Sequence, residues 1–283
     1  MVKVVTDSCA SIPDELVEQL DIEVVPYFMH RGVETLRDLV DVKRREFFDW
    51  LSEADHVPKT ANPSPGDYLV AFGKTAEKTD EIVTVTMTSK GSGAYQSALD
   101  AKEIARDVMP DLKIEVVDTL QVAMVHGWAA IEAARGALGG LDFKEVAETA
   151  RRVASRGMMI QTADTLRYLY LGGRIGKAKH LLGSVLSIKP LISMQDGVIV
   201  ALGQTRSRAK AYVRMTELMG QRVAPGDRIK AAFTHAAAHR EAERLRDLVC
   251  QRFDCTETLI AELSPVLGVH TGPGTVGVCF FVT

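Results

Sequence analysis

The sequence predicts an α/β protein, with a first unit whose helices cover a largely parallel sheet and a second unit built on a mixed sheet. Three observations lead to this prediction. Short β-branched runs alternate with helical segments along most of the chain. The composition is that of an ordinary globular protein, with 46% hydrophobic and 25% charged residues. The length of 283 residues fits about two domains, which we expect at residues 1–155 and 156–283.

The first half of the chain has strand and helix patterns in turn. Apolar β-branched runs and an alternation of Val with Thr have the two-residue period of strands. Alanines spaced by three and four residues form a helical stripe, and a segment with three prolines is typical of a loop. In chain order, we predict a strand at 2–5, a helix whose first turn holds Pro13, Asp14 and Glu15, a strand at 22–29, a helix with Phe47, Trp50 and Leu51 on one face, a loop at 55–66, a strand from Glu81, a helix with Ala94, Ala98, Ala101, Ala105 and Val108 on one stripe, a strand at 114–117 and a helix around 120–138.

The second half repeats this class of pattern without repeating the sequence. A Gly-rich stretch at 169–184 interrupts it, and Asp196-Gly197 between two apolar runs is a hairpin signal. The predicted elements are a helix at 143–156, a strand at 158–161, strands at 188–194 and 198–202, a helix at 207–219, a strand at 228–234, a helix at 239–250 and strands at 257–262 and 276–282.

Composition also excludes several classes of function. The net charge of −3 and an aromatic content of 6% disfavour a nucleic-acid binder. The most apolar stretch, residues 120–141, contains His126, Glu132 and Arg135, so we expect no stable membrane insertion. The N-terminus does not have the pattern of a signal peptide, because Asp7 comes too early. We therefore expect a cytoplasmic protein whose four scattered cysteines are reduced.

The clearest candidate site is the turn at 88–95, between a predicted strand and a predicted helix. Gly91 and Gly93 allow close approach of a ligand, Ser92 adds a hydroxyl, and backbone N–H groups at a helix start favour an anion. A Gly-rich turn with a serine cap would have the same pattern. The spacing is not that of a hydrolase elbow or of the common nucleotide-binding loops.

Two more segments carry polar groups next to Pro or Gly. Thr60 and Asn62 lie in the proline-rich segment, and His270 and Thr271 are followed by Gly272. His235 and His239 are four residues apart but straddle a predicted strand end, so we expect no metal site there. Arg206, Arg208, Lys210 and Arg214 form a basic cluster of the kind usually found on a solvated helix face.

Six motifs, in this order along essentially the whole chain, resemble the DegV family, the fatty-acid-binding subunits of bacterial fatty acid kinase. They are Thr6-Asp7-Ser8, KTANPSPGDY at 59–68, SKGSGAYQSA at 89–98, YLYLGGRIGKAK at 168–179, IKPLISMQDG at 188–197 and HTGPGTVGV at 270–278.

This resemblance implies two α/β domains with one long-chain fatty acid between them and no further cofactor or metal. It also implies that a separate fatty acid kinase phosphorylates the bound carboxylate, in phospholipid metabolism, and that this chain has no catalytic activity alone. The implied fatty-acid-binding residues are Thr60, Asn62, Ser92, Gly93, Arg174, His270 and Thr271, and the implied kinase-docking residues are Arg206 and Arg208. The sequence departs from the family pattern at Ala61, Asn62, Ala94 and Leu171.

Two other functions fit the same residues. Ser92 with His270 as its base would make a serine hydrolase for a lipid ester, although no third member of a triad is evident. The turn at 89–94 would also suit a sugar phosphate or a dihydroxyacetone-like compound.

Overall fold

A computed structural model describes residues 1–54, 56–181 and 188–283 and shows three sheets with helices packed between and around them. The strands are β1 Lys3–Asp7, β2 Glu23–Val25, β3 Phe28–Arg31, β4 Glu34–Arg37, β5 Lys59–Ala61, β6 Glu81–Thr86, β7 Lys113–Asp118, β8 Met158–Thr162, β9 Lys189–Gln195, β10 Val198–Thr205, β11 Arg228–His235, β12 Asp254–Glu262 and β13 Val276–Val282. The helices are α1 Asp14–Gln19, α2 Arg44–Glu53, α3 Pro65–Ala76, α4 Ala94–Val108, α5 Ala123–Leu138, α6 Phe143–Arg156, α7 Arg167–Leu171, α8 Arg208–Met219, α9 His239–Cys250 and α10 Pro265–Thr271. Short 3-10 helices cover Ser8–Ala10 and Gly176–Leu181.

The first sheet is parallel throughout, with the strand order β2-β1-β6-β7. The next strand in the sequence, β2, pairs with one edge of β1, and β6 pairs with the other edge. The carboxyl ends of β1 and β6 therefore flank a switch point, the usual place for a ligand in such sheets. The predicted turn at 88–95 begins two residues after β6 ends, so the Gly-rich turn lies at this edge.

The second sheet is mixed and has the order β10-β9-β8-β13-β11-β12. Strands β11 and β12 are parallel, and the other neighbours are antiparallel. The predicted hairpin is present: β9 and β10 are joined at Asp196 and Gly197, whose φ angles are 51° and 80°. Two consecutive residues with positive φ form a type I′ turn, which the sequence Asp-Gly favours. This architecture confirms the predicted fold class.

Helices α5 and α6 lie between the two large sheets and contact both. Nearly every side chain of α5 is buried, and Trp128 Nε1 donates to the carbonyl oxygen of Cys279 in β13 at 3.2 Å. One cluster of buried side chains therefore runs from β1 through α5 to β13. The expected boundary between residues 155 and 156 falls in the last turn of α6. Because α6 packs on both sheets, the two halves share a core there, and the domain limits stay a prediction.

The segment around residues 22–29 differs from the single predicted strand. Pro26 has no N–H to donate to a ladder, and the chain bends there, so that β2 joins the parallel sheet while β3 forms a small antiparallel sheet with β4 and β5. Of the predicted loop at 55–66, residue 55 lies outside the described residues, and part of the remainder is a strand and a helix. Its residues 59–61 form β5, with Thr60 opposite Met29, and α3 begins at Pro65 behind a Ser64 cap.

Two helical predictions also need correction. Four alanines of the predicted stripe on α4 are buried, but Val108 is 61% exposed. It is the last residue of α4. The segment before Gly272, where the sequence predicts no helix, forms α10, which continues to Thr271 with Ser264 as its N-cap and Pro265 in its first turn. Within the described residues, no helix combines the length and the apolar character needed to cross a membrane.

Candidate functional site

A cavity of about 420 Å³ lies between the carboxyl edge of the parallel sheet and one face of the mixed sheet. Its volume is within the range of about 300–1,000 Å³ found for small-molecule sites. The first half of the chain contributes mainly the proline-rich segment and the turn after β6. The second half contributes strands β8–β10, the Gly-rich stretch and α10. The polar groups of these segments therefore meet around one space.

Thr60 and His270 form the first polar pair at this cavity. Thr60 Oγ1 lies 2.9 Å from His270 Nε2, because β5 and the last turn of α10 contact each other. Burial, and secondarily the nearby charge of Arg174, lowers the pKa of His270 to about 4, so the ring is neutral near pH 7. With its proton on Nε2, the ring donates to Thr60, and the Thr60 hydroxyl is then free to donate to a ligand oxygen.

Ser92 and Tyr27 form the second pair, with 2.6 Å between their hydroxyl oxygens. Burial, followed by the charges of Asp7 and Cys9, raises the pKa of Tyr27 well above 10. Tyr27 therefore keeps its proton and can donate to Ser92, which also accepts from the N–H of Ala94 at 3.2 Å. The Ser92 hydroxyl can then direct its own proton at an anion. Sequence reasoning missed Tyr27, whose only signal was an aromatic residue directly after Pro26.

The other predicted polar residues shape the site without offering free side-chain donors. Asn62 lines the cavity, but its Nδ2 donates to the Pro63 carbonyl oxygen at 2.8 Å and to Ser97 Oγ at 3.2 Å. Gly93 lies beside the Asn62 amide, since a Cβ at Gly93 would come within 3.0 Å of Asn62 Oδ1. Thr271 lines the cavity and donates to the Leu267 carbonyl oxygen at 3.1 Å.

Two cationic side chains border the exposed part of the cavity. Arg174 donates from Nη1 to the Gly172 carbonyl oxygen at 2.7 Å and remains exposed. Lys90, which the sequence analysis did not single out, is also exposed and lines the cavity from the turn after β6. Charges of one sign at an opening attract a ligand of the opposite sign, so this entrance favours an anion.

The interior of the cavity is mainly apolar. Met159, Ile192 and Ile199 line it from the mixed sheet, and Val266 and Leu267 line it from α10. Among the described residues of α5, only Ala123 lines the cavity. The arrangement is a polar, cationic rim around a hydrophobic interior, which suits an amphiphile with an anionic head.

Arg206 and Arg208, predicted together as docking residues, have different environments. Arg206 is exposed. Arg208 is half-buried, donates to the Gly274 carbonyl oxygen at 2.8 Å and pairs with Asp164 at 2.6 Å. Arg208 thus holds the turn that follows α10, close to the site, whereas Arg206 presents a free charge on the surface.

His235 and His239 lie close together, with 3.3 Å between Nε2 and Nδ1. In the described part of the chain, no cluster of three or more His, Cys, Asp or Glu side chains is arranged to hold a metal ion. All four cysteines are free thiols.

Comparison with known proteins identifies the family. The DegV family, whose members are described as uncharacterised proteins, matches residues 1–283. A DegV domain-containing protein of Streptomyces coelicolor is 33% identical over 98% of this chain and 97% of its own length. One of Clostridium perfringens is 31% identical over 99% of this chain and 98% of its own.

Solved structures show the same fold. A DegV family protein from Thermus thermophilus, reported for its fatty acid binding, superposes with a TM-score of 0.92 at 28% identity and covers 100% of this chain and 99% of its own. A stearic-acid-binding protein from Eubacterium ventriosum also gives 0.92, at 26% identity over 100% of this chain and 98% of its own. The resemblance found in the six motifs is therefore confirmed over the full length, and the chain belongs to the DegV family.

Proposed function

We propose that this protein binds one long-chain fatty acid in the cavity, with the carboxylate at the polar rim and the acyl chain inside. The observation that supports this most directly is the pair of hydroxyls, Ser92 and Thr60, which line the cavity beside Tyr27 and His270. When Tyr27 and His270 donate to them, each hydroxyl keeps its own proton for a carboxylate. Hydrogen bonds to a carboxylate contribute about 1.5–3 kcal/mol each. The solved relatives that carry fatty acids have the same fold.

The apolar interior contributes the larger share of affinity in this proposal. Burying about 15 methylenes at about 0.8 kcal/mol each gives an upper bound of about 12 kcal/mol, reduced by the cost of ordering the chain. The head group therefore sets the orientation of the ligand, and the tail sets most of the affinity. A sugar phosphate would leave this interior unused.

We also propose that the protein is a carrier, not a hydrolase, and that a separate cytoplasmic kinase phosphorylates the presented carboxylate. A serine nucleophile needs a base at its hydroxyl. Among the described residues, the side chain bonded to Ser92 is Tyr27, and His270 is instead bonded to Thr60. We expect the chain alone to leave Mg²⁺-ATP unchanged and to yield acyl phosphate only when the kinase is added.

Ser92→Ala tests the binding proposal. We expect it to weaken stearic acid binding in a calorimetric titration by about 1–3 kcal/mol, because the carboxylate loses one donor. Ser89→Ala is the matched control, since Ser89 lies in the same turn but does not line the cavity. Equal affinities for all three proteins would contradict the proposed position of the head group. A covalent fluorophosphonate adduct on Ser92 would favour the hydrolase.

Arg206→Glu tests the proposed kinase-docking surface. We expect slower association with the kinase, most clearly at low salt, and unchanged fatty-acid affinity, because exposed charges act mainly on the encounter rate. Arg208 is left intact because it holds Gly274. Arg228→Glu is the control, since Arg228 begins β11, at the end of the sheet opposite to Gly274. Equal association rates for Arg206→Glu and the wild type at every salt concentration would remove Arg206 from the surface.

A further inference from the structure

Five residues of the mixed sheet form the cavity floor, and one of them, Gln161, is polar. In β8, Met159 and Gln161 are two residues apart and so point to the same side. Gln161 is opposite Ile192 in β9, which is itself two residues from Met194, and Met194 is opposite Ile199 in β10. All five residues line the cavity.

The Gln161 amide is buried and unpaired. The residue is 3% exposed, and its Nε2 has no hydrogen-bond partner in the part of the chain that the structure describes. Native proteins rarely leave such a group without a partner, because losing its bonds to water is costly. Gln161 lines the cavity, and because no protein group holds Nε2, rotation about the last side-chain torsion can turn Nε2 toward a ligand.

The neighbouring strand makes room for this side chain. Gly277 in β13 is opposite Gln161, and a Cβ at that position would lie 2.9 Å from the Ile160 carbonyl oxygen and 3.1 Å from both Gln161 Cγ and Thr234 Oγ1. Glycine at this position therefore leaves room for the β8 backbone and for the Gln161 and Thr234 side chains.

Gln161 and the groups assigned to the carboxylate belong to different elements around the cavity. Ser92 and Thr60 come from the turn after β6 and from β5, and their hydroxyls are held by Tyr27 and His270. Gln161 instead lies on the sheet that carries the apolar lining. An acyl chain covering this floor would meet the amide along its hydrocarbon part and not at its head.

We propose that Gln161 makes the cavity selective for fatty acids that carry an oxygen, as a hydroxyl or keto group, along the acyl chain. This inference rests on the proposed function and names its ligand class more closely. Once Nε2 has turned toward the cavity, it can bond solvent there before a ligand arrives. A saturated chain displaces that solvent and leaves Nε2 unpaired, whereas an oxygen at the right carbon accepts its hydrogen bond.

Calorimetric titration of the purified, delipidated protein tests this selectivity. The ligands are stearic acid, oleic acid, and 10-hydroxystearic and 12-hydroxystearic acid. The proteins are the wild type, Gln161→Met, which keeps the side-chain length without the amide, and Met159→Leu, which alters the shape of the same floor without altering its polarity.

For the wild type, we expect at least one hydroxystearic acid to bind about five- to tenfold more tightly than stearic acid. Gln161→Met should remove or reverse this preference and tighten the binding of stearic acid. Met159→Leu should change the affinities of stearic and hydroxystearic acid by the same factor. Oleic acid should follow stearic acid, since its double bond supplies no oxygen.

The inference is overturned if Gln161→Met changes the affinity of every ligand by one common factor. That result is expected if the amide has only a structural role or bonds only to solvent. It is also overturned if wild type binds both hydroxystearic acids no more tightly than stearic acid. Failure of every fatty acid to bind would instead overturn the proposed function itself, so the two failures are distinguishable.

Discussion

Replacing Gly172 by alanine is expected to displace His270 and to weaken fatty-acid binding by at least about tenfold. A Cβ at Gly172 would overlap Nδ1 of His270 and lie 2.8 Å from its Cε1. Gly172 has φ −74°, so the substitution brings no backbone strain, and the effect is steric. Overpacking of this kind costs about 1–3 kcal/mol, and the displaced ring can no longer hold the Thr60 hydroxyl.

Two variants separate this effect from a general loss of stability. Gly73→Ala is the control, because nothing lies within 4 Å of a Cβ at that helical glycine. In a His270→Ala background, the added Gly172→Ala substitution should cost little, since the clashing ring is gone. The measurements are fatty-acid titration and chemical denaturation of each protein. If Gly172→Ala costs as much without the His270 ring as with it, the assigned contact is wrong.

Lowering the pH below 6.5 is expected to remove the contribution of His270 to folding stability. Burial, and then the charge of Arg174, lowers its pKa from 6.5 in the unfolded chain to about 4 in the folded protein. Unfolding therefore takes up a proton between these values. The contribution of the neutral His270 ring to folding stability is fully present above pH 6.5 and is lost as the pH falls toward 4. The full difference corresponds to about 3 kcal/mol.

Other buried groups titrate in the same range, so the measured quantity is a difference between two proteins. Burial raises the pKa of Asp38 to about 6. The contribution of Asp38 to folding stability therefore increases as the pH falls from 6 to 4, opposite to that of His270. We expect the free energy of unfolding of the wild type relative to His270→Gln to fall by up to about 3 kcal/mol from pH 7 to pH 4. A pH-independent difference for His270→Gln would contradict a buried, neutral imidazole.

Most of the secondary structure could be predicted because its signals are local. Alternation of Val and Thr marked β6, alanine spacing marked α4, and Asp196-Gly197 marked the β9–β10 hairpin. Each of these patterns depends on residues within one or two turns of one another. The six motifs identified the family, which the full-length match confirms. The candidate site residues were named from those motifs.

The contacts of the site residues depended on tertiary structure. Segment 59–61 has the composition of a loop and becomes β5 only because β3 offers it a hydrogen-bonding edge. Tyr27 became a site residue because the chain bends at Pro26, and Arg208 proved to hold Gly274 instead of facing solvent alone.

The sequence by itself determined the chain order of the strands that form the two large sheets, the parallel and mixed character of those sheets, and the family to which the chain belongs. Only the tertiary structure decided that Thr60 is hydrogen-bonded to His270 and Tyr27 to Ser92. It also decided that Gln161 lines a hydrophobic cavity and that its Nε2 has no hydrogen-bond partner among the described residues. The physical reason is distance along the chain: Thr60 and His270 are 210 residues apart. Local propensity carries no information about such partners, because their contact is created by the packing of two sheets on shared helices.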